Sequence, residues 1–322
     1  MADRENPGEL GEYLKACRAG VQPEQLGVTP YGDRRRVPGL RREELALLAG
    51  VSPSYYARLE QGQSRNASPQ VLDAIAAALR LAPAERQHLH ALAESAGRRR
   101  ITRPAPVEHA DPALRELLGA MREVPALVLG RRGDVLAWNP TCHALLAGHL
   151  DRDSVSVPGR RPNMTELVFL DPHTRALYAD WDSKARAVVG NLRLTAGAHP
   201  DDPALATLIG KLILASPEFT TMWADHRVQS CATASYELHH PIVGALTVTQ
   251  QTLRSLERAE QTVITCTAPP GSASAAALEI LAHAAHQQAR PTPTPTAPAP
   301  DPEPASMNSD EPAAVKAGGV SS

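Results

Sequence analysis

Apolar positions recur at helical spacing through the first hundred residues. Leu10, Tyr13, Leu14 and Cys17 share one face of a first helix, and Pro23, Gly27, Pro30, Gly32, Pro38 and Gly39 then interrupt the pattern. A second short helix is predicted from Arg41 through Ala49. Ser52-Pro53 opens a third, with a serine hydroxyl as cap acceptor and a proline at the first helical position, where its missing N–H costs nothing. Ser68-Pro69 repeats the device for a predicted fourth helix, Gln70 to Leu81, and Pro83 opens a fifth that reaches about Ser95. The basic run Arg98-Arg99-Arg100, followed by Arg103-Pro104, reads as an exit linker.

Beyond Val107 the pattern changes. ALVLGRRGDVLAWNP holds two short apolar runs, Ala126–Leu129 and Val135–Trp138, which predict strands joined by a turn where Gly133-Asp134 accept unusual φ. Helical text resumes from Pro140 to Leu146 and dominates to Asp225. Within it, Trp181, Ala185, Val188, Val189 and Leu192 sit at helical spacing, and Ser216-Pro217 caps a helix toward Trp223. Three strand-like runs follow, Thr233–Leu238, Ile242–Thr252 and Thr262–Thr267, then an Ala-rich helix from Ala273 to His286. Two strands, a block of helices and three strands describe a small antiparallel sheet packed by helices. From Arg290 the text PTPTPTAPAPDPEPASMNSDEP buries too little apolar surface to offset chain ordering, so a disordered, partly extended tail is expected.

The corner between the second and third helices carries the most specific signal, RREELALLAGVSPSYYARLEQG. Leu45, Leu48, Val51, Tyr56 and Leu59 are expected to form one apolar cluster across it, Ala46 to let the helices approach, and Gly50 to supply a left-handed turn. Ser54, Tyr55 and Arg58 then project outward, with Ser52 at the helix start. Small polar, aromatic and Arg side chains on a rigid helix suit a DNA major groove, where they meet base edges. Arg34, Arg35, Arg36, Arg41 and Arg42 nearby suit phosphates, which fix position without reading sequence. The competing readings are an ordinary corner of a helical bundle, and a protein-interaction module that uses a helix-turn-helix fold without specific DNA binding.

Charge sharpens this picture. Residues 1–103 carry 16 basic against 12 acidic side chains, and the remainder 17 against 23, so a basic N-terminal region precedes an acidic one. Cys17, Cys142, Cys231 and Cys266 are scattered, with no CxxC pair and no His at zinc-ligand spacing, which predicts reduced thiols and no structural metal. MADRENPGELGEYL is too charged for a signal peptide, and no apolar run approaches a bilayer span, so a cytoplasmic protein without membrane association is expected.

Residues 10–95 resemble the helix-turn-helix domain of bacterial Xre/Cro-type regulators, and RRRVPGLRREELALLAGVSPSYYARLEQG resembles an actinobacterial branch of them. The second region is similar to the MmyB-like ligand-binding domain attached to that branch. GDVLAWNP, NMTELVFLDPHTRALYADW, DDPALATLIGKLILASPEFTTMWADHRV, HPIVGALTV and TAPPGSASAAALEIL carry that likeness, so it spans roughly residues 10–285. It implies a PAS-like sensor for a small apolar molecule, with a fatty acid as the family's best-known occupant. Transcriptional control, often of an adjacent reductase gene, is implied too. In such domains an Arg of the first helix pairs with the Glu that ends the recognition helix, and Arg18 and Glu60 stand at those places. The expected architecture is therefore an all-α helix-turn-helix bundle (1–97), a linker (98–106), an α+β PAS-like domain with a small antiparallel sheet (107–288) and the tail (289–322). A homodimer on double-stranded DNA is expected.

Enzyme chemistry finds little support. The sequence contains no HExxH, GxSxG, GxGxxG or Walker motif. Adjacent His239 and His240 on a strand point to opposite faces, His88 and His90 lie on different faces of a helix, and PGSAS at 270–274 reads as a helix start. Lone His143, His149 and His226 read as structural or surface residues, so no catalytic residue and no cofactor is assigned. A ligand pocket is expected from Trp138, Trp181, Trp223, Leu192, Leu212 and Phe219, with Asn139, Arg186 and His226 as polar groups and Arg186 as partner of an acid. The alternative is that these tryptophans fill the core.

Overall fold

A computed structural model describes residues 8–26, 39–64, 67–96, 107–225, 233–254 and 260–288. Arg34, Arg35, Arg36, Cys231, His226, the linker 98–106 and the tail 289–322 lie outside the described residues.

Five helices build the N-terminal region: α1 (Glu9–Gly20), α2 (Arg42–Leu48), α3 (Pro53–Glu60), α4 (Pro69–Ala78) and α5 (Pro83–Ala96). Ser52 caps α3 by accepting from the Tyr55 N–H, and Ser68 caps α4 by accepting from the Val71 N–H. Helix α4 stops three residues short of the predicted Leu81. Arg80 adopts a positive φ of 53°, and the Arg80 and Leu81 N–H groups close the helix end on the Ala77 and Ala76 carbonyls. Leu10, Tyr13, Leu14, Leu45, Ala46, Tyr56, Leu59, Leu72, Ile75 and Leu89 pack into one core. Leu48 does not join it. The residue is 42% exposed because α2 turns inward through Leu45, Ala46 and Ala49, which leaves Leu48 at the edge and Leu47 facing outward.

The second region opens with a helix that the hydrophobic pattern missed, α6 (Pro112–Ala120), capped by Asp111. The predicted strands β1 (Ala126–Leu129) and β2 (Val135–Trp138) follow, joined through Gly133 at φ +85°. Next come α7 (Pro140–Ala147), α8 (Met164–Leu170), α9 (Pro172–Leu177), α10 (Trp181–Ala198), α11 (Pro203–Ala215) and α12 (Pro217–Ala224). Strands β3 (Thr233–His240), β4 (Gly244–Arg254) and β5 (Thr262–Thr267) precede α13 (Ala273–Gln288). Strand β4 starts two residues later than predicted, because Ile242 and Val243 form the hairpin turn and direct their N–H groups to the His240 ring.

The five strands form one antiparallel sheet in the order β2-β1-β5-β4-β3. Helices α7, α9 and α13 bury one face through Leu145, Leu177, Tyr178, Leu278 and Leu281. Helix α6 covers the other face at β1, β2 and β5 through Leu118. Helices α8, α10, α11 and α12 form a separate helical lobe around Phe169, Val189, Leu205, Leu212 and Phe219. The fold is thus a helical N-terminal bundle followed by an α+β domain. The two regions pack together within one compact unit, with α10 lying against α5.

Candidate functional site: a presented helix and a sensor lobe

At the corner, Gly50 takes φ +65°, and Tyr56 and Leu59 are fully buried. The helix therefore has one inner face fixed by packing. Its outer face carries Ser54 and Arg58, both exposed, and Tyr55, half-buried; Ser52 is exposed at the N-terminus. Arg41 is half-buried ahead of α2, where its backbone N–H donates to the Glu44 carboxylate at 2.7 Å.

Glu60 ends α3 and is 2% exposed. Arg18 of α1 donates to it through two nitrogens at 3.0 and 2.9 Å, the pair that the resemblance implied, and also reaches the Leu40 carbonyl. Arg42, expected on phosphate, also donates to Glu60 at 2.9 Å, with its side chain still 41% exposed. Burial by itself would raise the Glu60 carboxyl. The two guanidinium groups outweigh it and hold the group below the ordinary carboxylate range. The network ties the end of α3 to both α1 and α2, so the outer face of α3 has a fixed orientation.

The residues expected to line a ligand pocket do not meet at one place. Trp138 packs in the sheet-side core, its indole N–H donating to the Arg152 carbonyl at 2.9 Å. Asn139 is buried and fully engaged: its oxygen accepts from the Ala126 and Cys142 N–H groups, and its amide donates to the Met121 and Val124 carbonyls at 2.5 and 2.7 Å. Trp181 packs against both the sheet-side core and the helical lobe, and Leu192, Leu212, Phe219 and Trp223 gather in the lobe. There Phe219 stacks on Trp223 with ring centroids 5.5 Å apart and meets Phe169 edge-on at 5.1 Å. Trp181 donates to the Val168 carbonyl at 2.7 Å and lies under the Arg175 guanidinium. Arg186 sits on the surface in an ion pair with Asp182, one helical turn away. It borders a cleft of about 490 Å³ with Asp182, Glu218, Met222 and Asp225.

A larger cleft of about 580 Å³ opens beside α8, lined by Leu150, Ser154, Arg160, Arg161, Leu167 and Lys211. None of the sequence-assigned ligand residues borders it. A third cavity, about 520 Å³, lies where the two regions join, between Cys17, Gly20, Leu79, Leu81, Glu85 and Asp225. Burial pushes the Cys17 thiol up to about 12 and Cys266 to about 11, and raises Cys142 as well, so these thiols are not nucleophiles near neutral pH. His240 is buried with a ring nitrogen 3.0 Å from the Ala144 carbonyl, whereas His239 faces outward. Among the described residues no group of three or more His, Cys, Asp or Glu is placed to hold a metal ion, and no helix is long and apolar enough to cross a membrane.

The hydrophobic pattern gave no hint of the place of Arg193 inside the lobe or of the contact between the regions. Arg193, 5% exposed, lies over the Trp223 ring at 4.3 Å and donates to the Trp223 carbonyl. Burial lowers its guanidinium to about 10, against the opposing charges of Asp225 and Glu9, so it remains a cation near neutral pH. Gly197 faces His88 of α5 so closely that an added Cβ would stand 2.5 Å from the His88 ring. The signal available in the sequence was that glycine, since Gly inside a helix costs about 1 kcal/mol and calls for a packing reason.

Two families match this chain. A helix-turn-helix domain matches residues 9–89, and the MmyB-like transcription regulator ligand binding domain matches residues 110–281. No curated protein matches it. A presented helix held by a buried ion network and an α+β domain with a helical lobe occupy the two matched stretches, and the chain belongs to the family of MmyB-like transcription regulators, with a DNA-binding helix-turn-helix domain joined to a ligand-binding domain.

Proposed function

We propose that this regulator reads a specific DNA sequence with the outer face of α3, and that an apolar acid of the fatty-acid class, held in the second domain, shifts it between DNA-competent and incompetent arrangements. Ser52, Ser54, Tyr55 and Arg58 contact bases or their flanks, and Arg34, Arg35, Arg36, Arg41 and Arg42 meet phosphates. A homodimer in the cytoplasm sets two such helices on half-sites about 34–36 Å apart. The ligand acts only through its differential affinity for the two arrangements.

The observation that carries the DNA reading is the division of α3. Tyr56, Leu59 and Glu60 are buried, while Ser54 and Arg58 stay exposed on a helix whose end is fixed by Arg18 and Arg42. The ligand reading rests on the matched family and on the aromatic lobe of Phe169, Trp181, Phe219 and Trp223.

The test uses a duplex selected by the full-length protein from a randomised library. Arg58→Ala is expected to weaken binding to that duplex by about 1–3 kcal/mol, read by fluorescence anisotropy, with a smaller loss on random duplex. Equal loss on both would make Arg58 a phosphate contact. Affinity should also fall steeply as salt rises, through counterion release. Failure to select any duplex would instead leave α3 as a protein-interaction surface.

A further inference from the structure

Helix α10 belongs to both regions. Along its first three turns, Ala185, Val189 and Leu192 pack into the helical lobe against Phe169, Leu212 and Phe219. Near its end, Leu194 packs against the core of the helix-turn-helix domain, and Gly197 meets His88 and Leu92 of α5. At about 1.5 Å per residue, an 18-residue helix is about 27 Å long, enough to join the two interiors as one rigid rod.

Of the two contacts near the end of α10, one anchors the helix in the lobe and the other reaches α1 through α5. Through Arg193, the rod lies over Trp223, which stacks on Phe219, a fully buried ring of the lobe. Through Gly197, the rod abuts His88, whose ring meets Tyr13 edge-on with centroids 4.8 Å apart. Tyr13 itself is 1% exposed and donates to the Glu85 carbonyl of α5. One and a half turns further along α1, Arg18 grips Glu60 at the end of α3.

We propose that α10 couples the helical lobe of the sensor to the recognition helix: its last two turns, anchored in the lobe by Arg193–Trp223, set the position of α1 through Gly197–His88 and His88–Tyr13, and α1 sets α3 through Arg18–Glu60. The proposal rests on the reading that α3 binds DNA, and it adds which half of the sensor controls that binding. A ligand that repacks the Phe219–Trp223 stack acts on α3, and a change confined to the sheet-side core does not. Coupling of this kind typically amounts to about 5- to 150-fold in affinity. The physical requirement is an element with two arrangements that both sites bias, not mere adjacency.

The experiment uses the full chain. Hydrogen exchange of α1 and α3 amides is followed in wild type, in Trp223→Leu, in Gly197→Ala and in Leu278→Ala, the last being a core substitution on the sheet side. Trp223→Phe, which keeps the stack on Phe219 but offers Arg193 a smaller face, serves if Trp223→Leu does not fold. Exchange in α1 and α3 is expected to rise about tenfold in the α10-contact variants and less than about twofold in Leu278→Ala. Affinity for the selected duplex should shift at least about fivefold, in the same direction, for Trp223→Leu and Gly197→Ala. Unchanged α3 exchange, equal response to Leu278→Ala, or unchanged affinity in these variants overturns the coupling. If wild type selects no duplex while α3 exchange responds as expected, the DNA reading fails and the mechanical link stands.

Discussion

The helix-turn-helix corner and the helical lobe of the second domain each bury one arginine, Arg18 and Arg193, and they hold it differently. At the corner a carboxylate, Glu60, is clasped by Arg18 and Arg42 at hydrogen-bond distances. In the lobe the buried Arg193 lies over the face of Trp223, donates to a backbone carbonyl and feels the charge of Asp225, while the exposed Arg175 lies over Trp181 and pairs with Glu218 at 3.1 Å. An ion pair with several hydrogen bonds has one good geometry, whereas a cation over a ring keeps much of its attraction as the two slide. The first arrangement suits a helix that must be presented at a fixed angle. The second suits the repacking that the proposed ligand response asks of the lobe.

The largest effect that would break this contrast is loss of the corner's fixed geometry. Glu60→Ala leaves Arg18 buried without its carboxylate and should lower stability by about 3–5 kcal/mol, measured by urea denaturation. A loss below about 1 kcal/mol would mean that the network is not what holds α3. The same group gives a pH signature. Its folded pKa is depressed, so its contribution is present above the unfolded carboxylate pKa and is lost as pH falls through the folded value. Glu60→Gln should flatten that part of the acid limb of a stability–pH profile.

A smaller effect is expected inside the sensor, at Asn139. Its side chain satisfies two N–H groups and two carbonyls where α7 leaves the sheet. Asn139→Ala removes a helix cap and strands buried backbone groups, for a loss of about 2–3 kcal/mol by thermal or chemical unfolding. Wild-type stability in that variant would return Asn139 to the list of ligand contacts.

How much of this was legible follows from what each region asks of its residues. The corner was readable because its function lies in what the core leaves over. Small Ala46, left-handed Gly50 and the Ser52-Pro53 cap dictate the inner face, so Ser54 and Arg58 are outer by subtraction. Strands β1, β2 and β5 were readable from short apolar runs flanked by turns. The second domain's site was not, since Trp138 and Trp223 are equally apolar in two different cores, Trp181 packs against both, and only the topology tells them apart. The α10 contact was hidden for the same reason: Arg193 is a charged residue in an amphipathic pattern, which reads as surface until a tryptophan 30 positions away is folded over it.

The smallest effect concerns Arg186, and it bears most directly on where the sensor's polar groups act. Its guanidinium is about half exposed and pairs with Asp182 one turn earlier on the same helix. An exposed pair at that spacing contributes about 0.3–0.5 kcal/mol, so Arg186→Ala should leave the unfolding midpoint nearly unchanged. Because it borders the cleft with Asp182, Glu218 and Asp225, a carboxylate ligand there would meet three acidic neighbours as well as one cation. Titration of full-length protein with a saturated fatty acid should therefore give the same affinity for wild type and Arg186→Ala, within about twofold. A tenfold loss, with stability unchanged, would place the acid's headgroup on Arg186 and shift the responsive region from the aromatic stack to the surface between α10 and α12.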